Sequence, residues 1–152
     1  MPLATTPTEA DWIANFIRTT VGITTGALPD GSPFFDTAYL LAIETVNPLI
    51  NSASPALYVQ AVYNLAADIL FNIAADTPPS TFFTNARTTM DLYGLVAGVP
   101  SAASDEGTSV GLVVPESLAQ LSLSDLQNIK TPWGRMYLSI AQKWGPDLFG
   151  IT

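Results

Sequence analysis

The chain has 152 residues, a length that suits one domain with a hydrophobic core of its own. It contains neither cysteine nor histidine, which excludes disulfides and thiolate metal sites and removes the side chain most often used as a general base. Charged residues make up only 12% of the chain, about half the share found in an average soluble domain. Since free surfaces rely on charge for solubility, we expect part of this surface to be covered in a permanent assembly.

The charge is unevenly distributed along the chain. Residues 1–129 carry two arginines against twelve acidic side chains, whereas residues 130–152 carry three basic side chains against Asp147 alone. An acidic body with a mildly basic end lacks the clustered basic face typical of duplex-DNA binders. It is compatible with repulsion from DNA or with pairing to a basic protein partner. The start shows no signal-peptide pattern and no apolar stretch of about 20 residues occurs, so we expect no membrane contact.

The first part of the chain predicts two helices separated by a loop. Thr8 suits a helix cap and Gly22 a helix end, and the apolar residues between them recur at helical spacing. Residues 22–31 are rich in glycine and proline, which is typical of a loop. Ser32 followed by proline is a strong helix start, and Pro48 is expected to end this second helix.

A third helix is predicted from Ser54 to about Ala75. Apart from one narrow polar stripe its residues are almost all apolar, so we expect it to be buried on most sides and to be the central helix. The stripe consists of Gln60, Asn64, Asp68 and Asn72, which are four residues apart.

The next part predicts a fourth helix and an excursion. The helix runs from Ser80 to Gly94, with Tyr93 on its apolar side. Residues 95–118 are rich in small residues and are predicted as a protruding loop or short β-hairpin. Residues 116–129 alternate weakly and fit either a strand or a helix.

The last helix is the best-defined element of the sequence. Thr131 suits a cap, a proline takes the first helical position, and apolar residues at helical spacing continue to Gly145. Residues 145–152 form a short, mostly apolar segment that we interpret as a docking tail. The predicted fold class is therefore mainly α: a compact bundle of about five helices, in one domain over residues 1–152, with the excursion between the last two helices.

Motifs that carry chemistry are weak. The segment GTSVG, centred on Ser109, matches the nucleophile elbow of hydrolases, but that site needs a histidine base and the chain has none. Asp68 is the acid best placed for acid/base work, because burial in the middle of a helix raises a carboxyl pKa. We interpret it instead as a polar contact to Asn64, to Asn72 or to a backbone group on a neighbouring helix. No metal-binding or nucleotide-binding pattern is present, so we expect no metal, no cofactor and no catalytic residue.

Three segments of the sequence are similar to one family of phage proteins. The segments KTPWGRMYLSIAQKWGP (130–146), SDEGTSVGLVVPESL (104–118) and ALYVQAVYNLAADILFNIAAD (56–76) resemble head-to-tail connector, or adaptor, proteins of tailed bacteriophages. The resemblance implies a helical subunit with a loop or hairpin, assembled in a ring, commonly twelvefold, in the virion neck. Such a ring contacts the portal above and neck or tail-terminator proteins below. It passes DNA through its bore without reading its sequence.

The resemblance also implies how this chain acts and where. It implies a non-enzymatic structural protein without a cofactor, made in the host cytoplasm and incorporated into the virion. Residues 95–118 are expected to reach a neighbour or a neck partner, and the last helix and tail (131–152) to dock on the portal or to stabilise the subunit. Aromatic side chains often dominate interfaces, and the basic and valine residues of these segments extend the set. The candidate interface residues are Trp133, Tyr137, Trp144, Phe149, Arg135, Lys143, Val113 and Val114.

Other interpretations of the sequence remain open at this point. Trp133 and Trp144 also fit the apolar face of the last helix, where they would belong to the core. The chain also fits a different tail-completion or neck module, which would differ in its partners. A small carboxylate-dependent hydrolase would use Asp68 in the cleavage of a glycan. A helical carrier of apolar ligands would need a large internal pocket.

Overall fold

The computed structural model describes residues 4–93, 102–105, 108–111 and 127–144, and the regular structure of these residues consists of helices and one pair of short strands. The protein is mainly helical, as the sequence predicts. The elements in chain order are α1 (Glu9–Asp11), continued directly by a π-helix (Trp12–Val21), α2 (Pro33–Thr45), α3 (Leu49–Ala53), α4 (Pro55–Ile73), α5 (Phe82–Thr89), β1 (Ala102–Asp105), β2 (Thr108–Gly111) and α6 (Pro132–Trp144).

Capping hydrogen bonds confirm four of the predicted helix starts. In each case a side-chain hydroxyl accepts a bond from a backbone N–H of the first turn, which has no partner inside the helix. The donor–acceptor distances are 3.2 Å at Thr8, 3.4 Å at Ser32, 3.4 Å at Ser54 and 2.9 Å at Thr131. A proline follows each of the last three caps at the start of the helix, where its missing N–H costs nothing.

The first helix differs from the predicted α-helix because it continues as a π-helix for ten residues. The Gly22 N–H donates to the Ile17 carbonyl at 2.9 Å, and the Thr19 hydroxyl donates to the Ala14 carbonyl at 3.3 Å, both five residues back. The helix ends at Gly22 as predicted. Its φ of 84° lies in the left-handed region, which glycine adopts without a steric penalty.

The second helix ends earlier than predicted, and a short helix follows it. Thr45 is the last residue of α2, and α3 begins directly after Pro48. The Asn47 side chain accepts a bond from the Leu49 N–H at 2.9 Å and so supports the new start. Pro48 therefore precedes a helix rather than a loop.

The fourth helix is shorter than predicted at both ends. It begins at Phe82, where the carboxylate of Asp76 accepts hydrogen bonds from the backbone N–H groups of Phe83 at 2.7 Å and Thr84 at 2.9 Å. The prediction that Tyr93 lies on the apolar side of this helix is wrong. Tyr93 follows the end of α5 and its side chain is 67% exposed.

Helix α4 is at the centre of the fold, as predicted. The π-helix and helices α2, α3, α5 and α6 all contact it, and most of its side chains are buried, Asn64 and Asp68 included. By length and composition α4 is apolar enough to cross a membrane, but 61% of its apolar window is buried inside the protein. An all-round apolar helix buried in this way is typical of a globular core.

Trp12 joins three of these helices. Its side chain is fully buried and meets the ring of Phe35 edge-on, with 5.8 Å between ring centroids, and that of Tyr39 at 5.9 Å. Its indole N–H donates to the main-chain carbonyl of Tyr63 at 3.1 Å. One side chain of the π-helix therefore contacts both α2 and α4.

The two strands pair within the range 95–118. They are antiparallel, with Ala102 opposite Gly111 and Asp105 opposite Thr108. The rest of that range lies outside the described residues, so its protrusion stays a prediction.

Candidate interaction surface

Helix α6, which carries most of the candidate interface residues, packs on α4 through its apolar face. Tyr137 is only 7% exposed, and Leu138 and Ala141 are buried with it. The Trp133 ring stacks on the Phe71 ring, with 4.5 Å between centroids and 6° between planes. Tyr137 is therefore a core residue of this chain rather than an accessible anchor, whereas Trp133 packs on the core and is only half-buried.

The start of α6 is fixed to α4 by one buried polar contact. The Thr131 hydroxyl donates to the carboxylate of Asp68 and accepts a bond from the Gly134 N–H at 2.9 Å. Thr131 and Asp68 are both buried. The sequence places Asp68 in a polar contact, and its carboxylate bonds to the Thr131 side chain rather than to a backbone group of the neighbouring helix. The Asn72 side chain donates to the main-chain carbonyl of Asp68 at 2.8 Å.

Burial changes the ionisation of Asp68. Removal from water raises the pKa of this carboxyl to about 6, although the hydrogen bond from Thr131 lowers it. Asp68 is therefore held at the helix interface in a form that is protonated more easily than an exposed aspartate.

Gly134 allows this close approach of α6. A Cβ at this position would lie 1.9 Å from the Asn128 carbonyl oxygen and 2.9 Å from the Asp68 carboxylate. Backbone atoms cannot move aside as the end of a side chain can, so no side chain fits here without displacing α6.

Gly134→Ala should lower the free energy of unfolding by about 2 kcal/mol, because it overpacks a tight backbone contact. The matched control is Gly31→Ala, where a Cβ would meet nothing within 4 Å, and which should change stability by less than about 1 kcal/mol. Urea unfolding of the three proteins measures both effects. Equal stability of the two variants would contradict the packing described for α6.

An open groove runs between the π-helix, α4 and α6. Its volume is about 440 Å³. Its lining is mainly apolar, and the polar side chains in it carry no charge. One of them, the Asn64 amide, already donates to the Gln60 carbonyl at 2.8 Å. The residues that line it are Phe16, Thr20, Leu57, Gln60, Asn64, Pro132, Trp133, Met136 and Ile140. A groove of this kind suits an apolar side chain or ligand more than a charged substrate.

The outer face of α6 is basic and partly apolar. Arg135, Met136 and Lys143 are exposed, and Met136 is 53% exposed at the edge of the groove. Arg135 donates to the Ile129 carbonyl at 2.9 Å, which holds it near the start of the helix. Lys130 donates to the Asp91 carbonyl at 2.7 Å and ties the same end to the residues after α5.

The side chains of the other four candidate interface residues are not described by the structure. Val113, Val114 and Phe149 lie outside the described residues. Trp144 is the last residue of α6, and only its backbone is described. The docking roles of residues 95–118 and 145–152 therefore stay predictions.

The sequence did not single out Met136, Ile140 or Gln60 as surface residues, yet they form the groove with Trp133. Their helical spacing indicated only that they belong to one face of a helix. A groove forms in the gap between helices, and the residue pattern of a single helix does not predict that gap.

Several acidic side chains form contacts that stabilise the fold. Asp30 forms an ion pair with Arg18 at 2.5 Å, and Asp11 accepts a bond from the Tyr63 hydroxyl at 2.7 Å. The Tyr63 bond, with a second from Asn15, holds the pKa of Asp11 below its usual value. Tyr63 itself is buried, which raises its pKa to about 12.

Two more acids interact with each other at the surface. Partial burial, together with the neighbouring Asp36 carboxylate, raises the pKa of Glu9.

Asp68 lies at a different helix interface, is 2% exposed and does not line the groove. Among residues 4–93 and 127–144, no three acidic side chains are grouped as a metal site would require.

Comparison with known proteins gives no further assignment: no protein family, curated protein or solved structure matches this chain.

Proposed function

We propose that this protein is a subunit of a head-to-tail connector ring, a structural virion protein that joins the portal of a tailed phage to its neck or tail. The observation that carries the proposal is the surface of α6. This helix occupies most of the segment 130–146 that resembles connector proteins, and it combines a core face with an exposed basic and apolar face beside a groove.

The charge distribution supports the same role. Subunits of a ring need side faces with little charge, and only 12% of this chain is charged. Its net charge of −8 suits a bore through which DNA slides without being held. The basic residues after position 129 suit contact with an acidic partner surface.

The ring would work by shape and surface burial, without chemistry. Asp68, the acid best placed for a hydrolase, is enclosed between α4 and α6 and bonded to Thr131. That position supports a structural role for Asp68 over the glycan-cleaving alternative. The partners of the proposed ring are further copies of this chain, the portal protein and a neck or tail-terminator protein.

Staged dissociation of purified particles from the source of this chain tests the proposal. Particles are stripped from tail to neck to portal, and each fraction is quantified by mass spectrometry. We expect the chain in a small fixed number, leaving with the neck. Release with the tail instead would assign it to a tail-completion module, and absence from intact particles would refute a virion role.

A further inference from the structure

Besides the exposed Leu49 and Tyr93, two helices that both pack against α4 carry exposed apolar surfaces in the described part of the chain. The first is on α2, where Leu40 is 59% exposed and Leu41 49% exposed. The second is the edge of the groove on α6, where Met136 is 53% exposed. Large apolar side chains exposed next to one another are typical of contact sites.

The exposed charges beside the two surfaces are opposite in sign, with Asp36 and Glu44 on α2 and Arg135 and Lys143 on α6. On α2, Glu44 follows Leu40 by four residues and Leu41 by three, so it shares their exposed face. On α6, Lys143 follows Ile140 by three residues and Met136 by seven, so it lies on the groove side.

We propose that the α2 surface of one subunit, formed by Leu40, Leu41 and Glu44, docks into the α6 groove of a second copy, with Glu44 next to Lys143. With the helices side by side and parallel, the leucines meet Trp133 and Met136. The two surfaces are complementary in both apolar character and charge, which a second copy satisfies without any other partner.

The contact is heterologous, because each subunit uses two different surfaces. Such contacts build closed rings when the rotation between subunits closes, and filaments when it does not. The inference rests on the ring proposed above and names the surfaces that would form it. Each subunit then uses its α2 surface once and its α6 groove once.

Charge reversal at the two positions tests the docking. In the full-length chain, Glu44→Lys alone and Lys143→Glu alone should each weaken self-association about tenfold, measured by sedimentation velocity over a range of concentrations. The double variant, which carries both reversals, should restore it. Thr89→Lys on the exposed face of α5 is the control and should leave association unchanged. Thermal unfolding of each variant is measured as well, so that a loss of association is separated from a loss of folding.

Disulfide trapping gives a second readout, because the natural chain contains no cysteine. Single variants Leu41→Cys and Met136→Cys are mixed under mild oxidation. We expect the mixed dimer to exceed either homodimer, and Thr89→Cys mixed with Met136→Cys to give no such preference.

The results separate this inference from the proposed function. A chain that stays monomeric and gives no preferred mixed dimer, or one that associates without rescue in the double variant, overturns the docking. Particle fractionation tests the connector role independently. Rescue and trapping in a chain absent from particles would keep the docking and reject the connector.

Discussion

Trp12→Ala should lower the free energy of unfolding by about 3–5 kcal/mol, the range found for large aromatic residues removed from a core. Trp12 is fully buried and packs against Phe35 and Tyr39. Its loss leaves a cavity at the junction of the π-helix, α2 and α4. It also leaves the Tyr63 carbonyl without the indole N–H, 3.1 Å away in the native protein. Chemical denaturation followed by circular dichroism measures the effect.

Two matched variants separate packing from hydrogen bonding at this site. Trp12→Phe retains most of the apolar volume but loses the N–H donor. It should lower the free energy of unfolding by about 1–3 kcal/mol relative to wild type, which is less than the effect of Trp12→Ala. Thr19→Ala on the exposed side of the same helix should change stability by less than about 0.5 kcal/mol. A Trp12→Ala protein within about 1 kcal/mol of wild type would contradict the assignment of this residue to the core.

The second large effect is a dependence of stability on pH that originates in Asp68. Burial raises the pKa of Asp68 to about 6 in the folded chain, above the ordinary value of 3.8 expected for the unfolded chain. Between these values the folded state retains a proton that the unfolded state has released, so stability falls as the pH rises from about 4 to about 6. Above that range Asp68 is ionised in both states, so its contribution to the free energy of unfolding is at its lowest and no longer changes with pH.

Asp68→Asn isolates this contribution, since the amide is neutral at every pH and still accepts a bond from Thr131. The stability of the variant relative to wild type should rise by about 2–3 kcal/mol between pH 4 and pH 7. Thr131→Ser keeps the hydroxyl and should keep the wild-type pH dependence. A difference between Asp68→Asn and wild type that does not change with pH would show that the pKa of Asp68 is the same in the folded and the unfolded chain, and would contradict the effect of burial.

Much of the fold could be predicted because its signals are local. A cap followed by a proline marks the starts of α2, α4 and α6, and each signal depends on two adjacent residues. The apolar composition of α4 identified it as the central helix for a similar reason. Interactions between neighbouring residues determine these features, so they can be predicted from the sequence.

Other elements could not be predicted because their cause is not local. The spacing of Trp12, Phe16 and Ile17 fits the first turns of an α-helix and of a π-helix equally, and only the main-chain bonds distinguish them. The start of α5 is set by Asp76, six residues before the helix, and no adjacent residue signals it. The short helix α3 was not predicted, because Pro48 was used only as the signal for the end of α2 although proline also begins helices.

The candidate surface was predictable only in part. Helical spacing placed Trp133 and Tyr137 on the apolar face of the last helix, but it could not show that one is only half-buried while the other is buried. That difference depends on Phe71 and on the gap beside α4, which belong to another helix. Sequence could suggest a neighbouring helix as the partner of Asp68 but could not name Thr131, which is 63 residues away in the chain.

Cryo-electron microscopy of the particle neck tests the connector proposal most directly. The account predicts a ring of copies of this chain between portal and tail, in which the 19-residue helix α4, flanked by α2 and α6, fits each subunit density. A neck whose densities do not accommodate this arrangement, in particles that contain the chain elsewhere or not at all, would contradict the account.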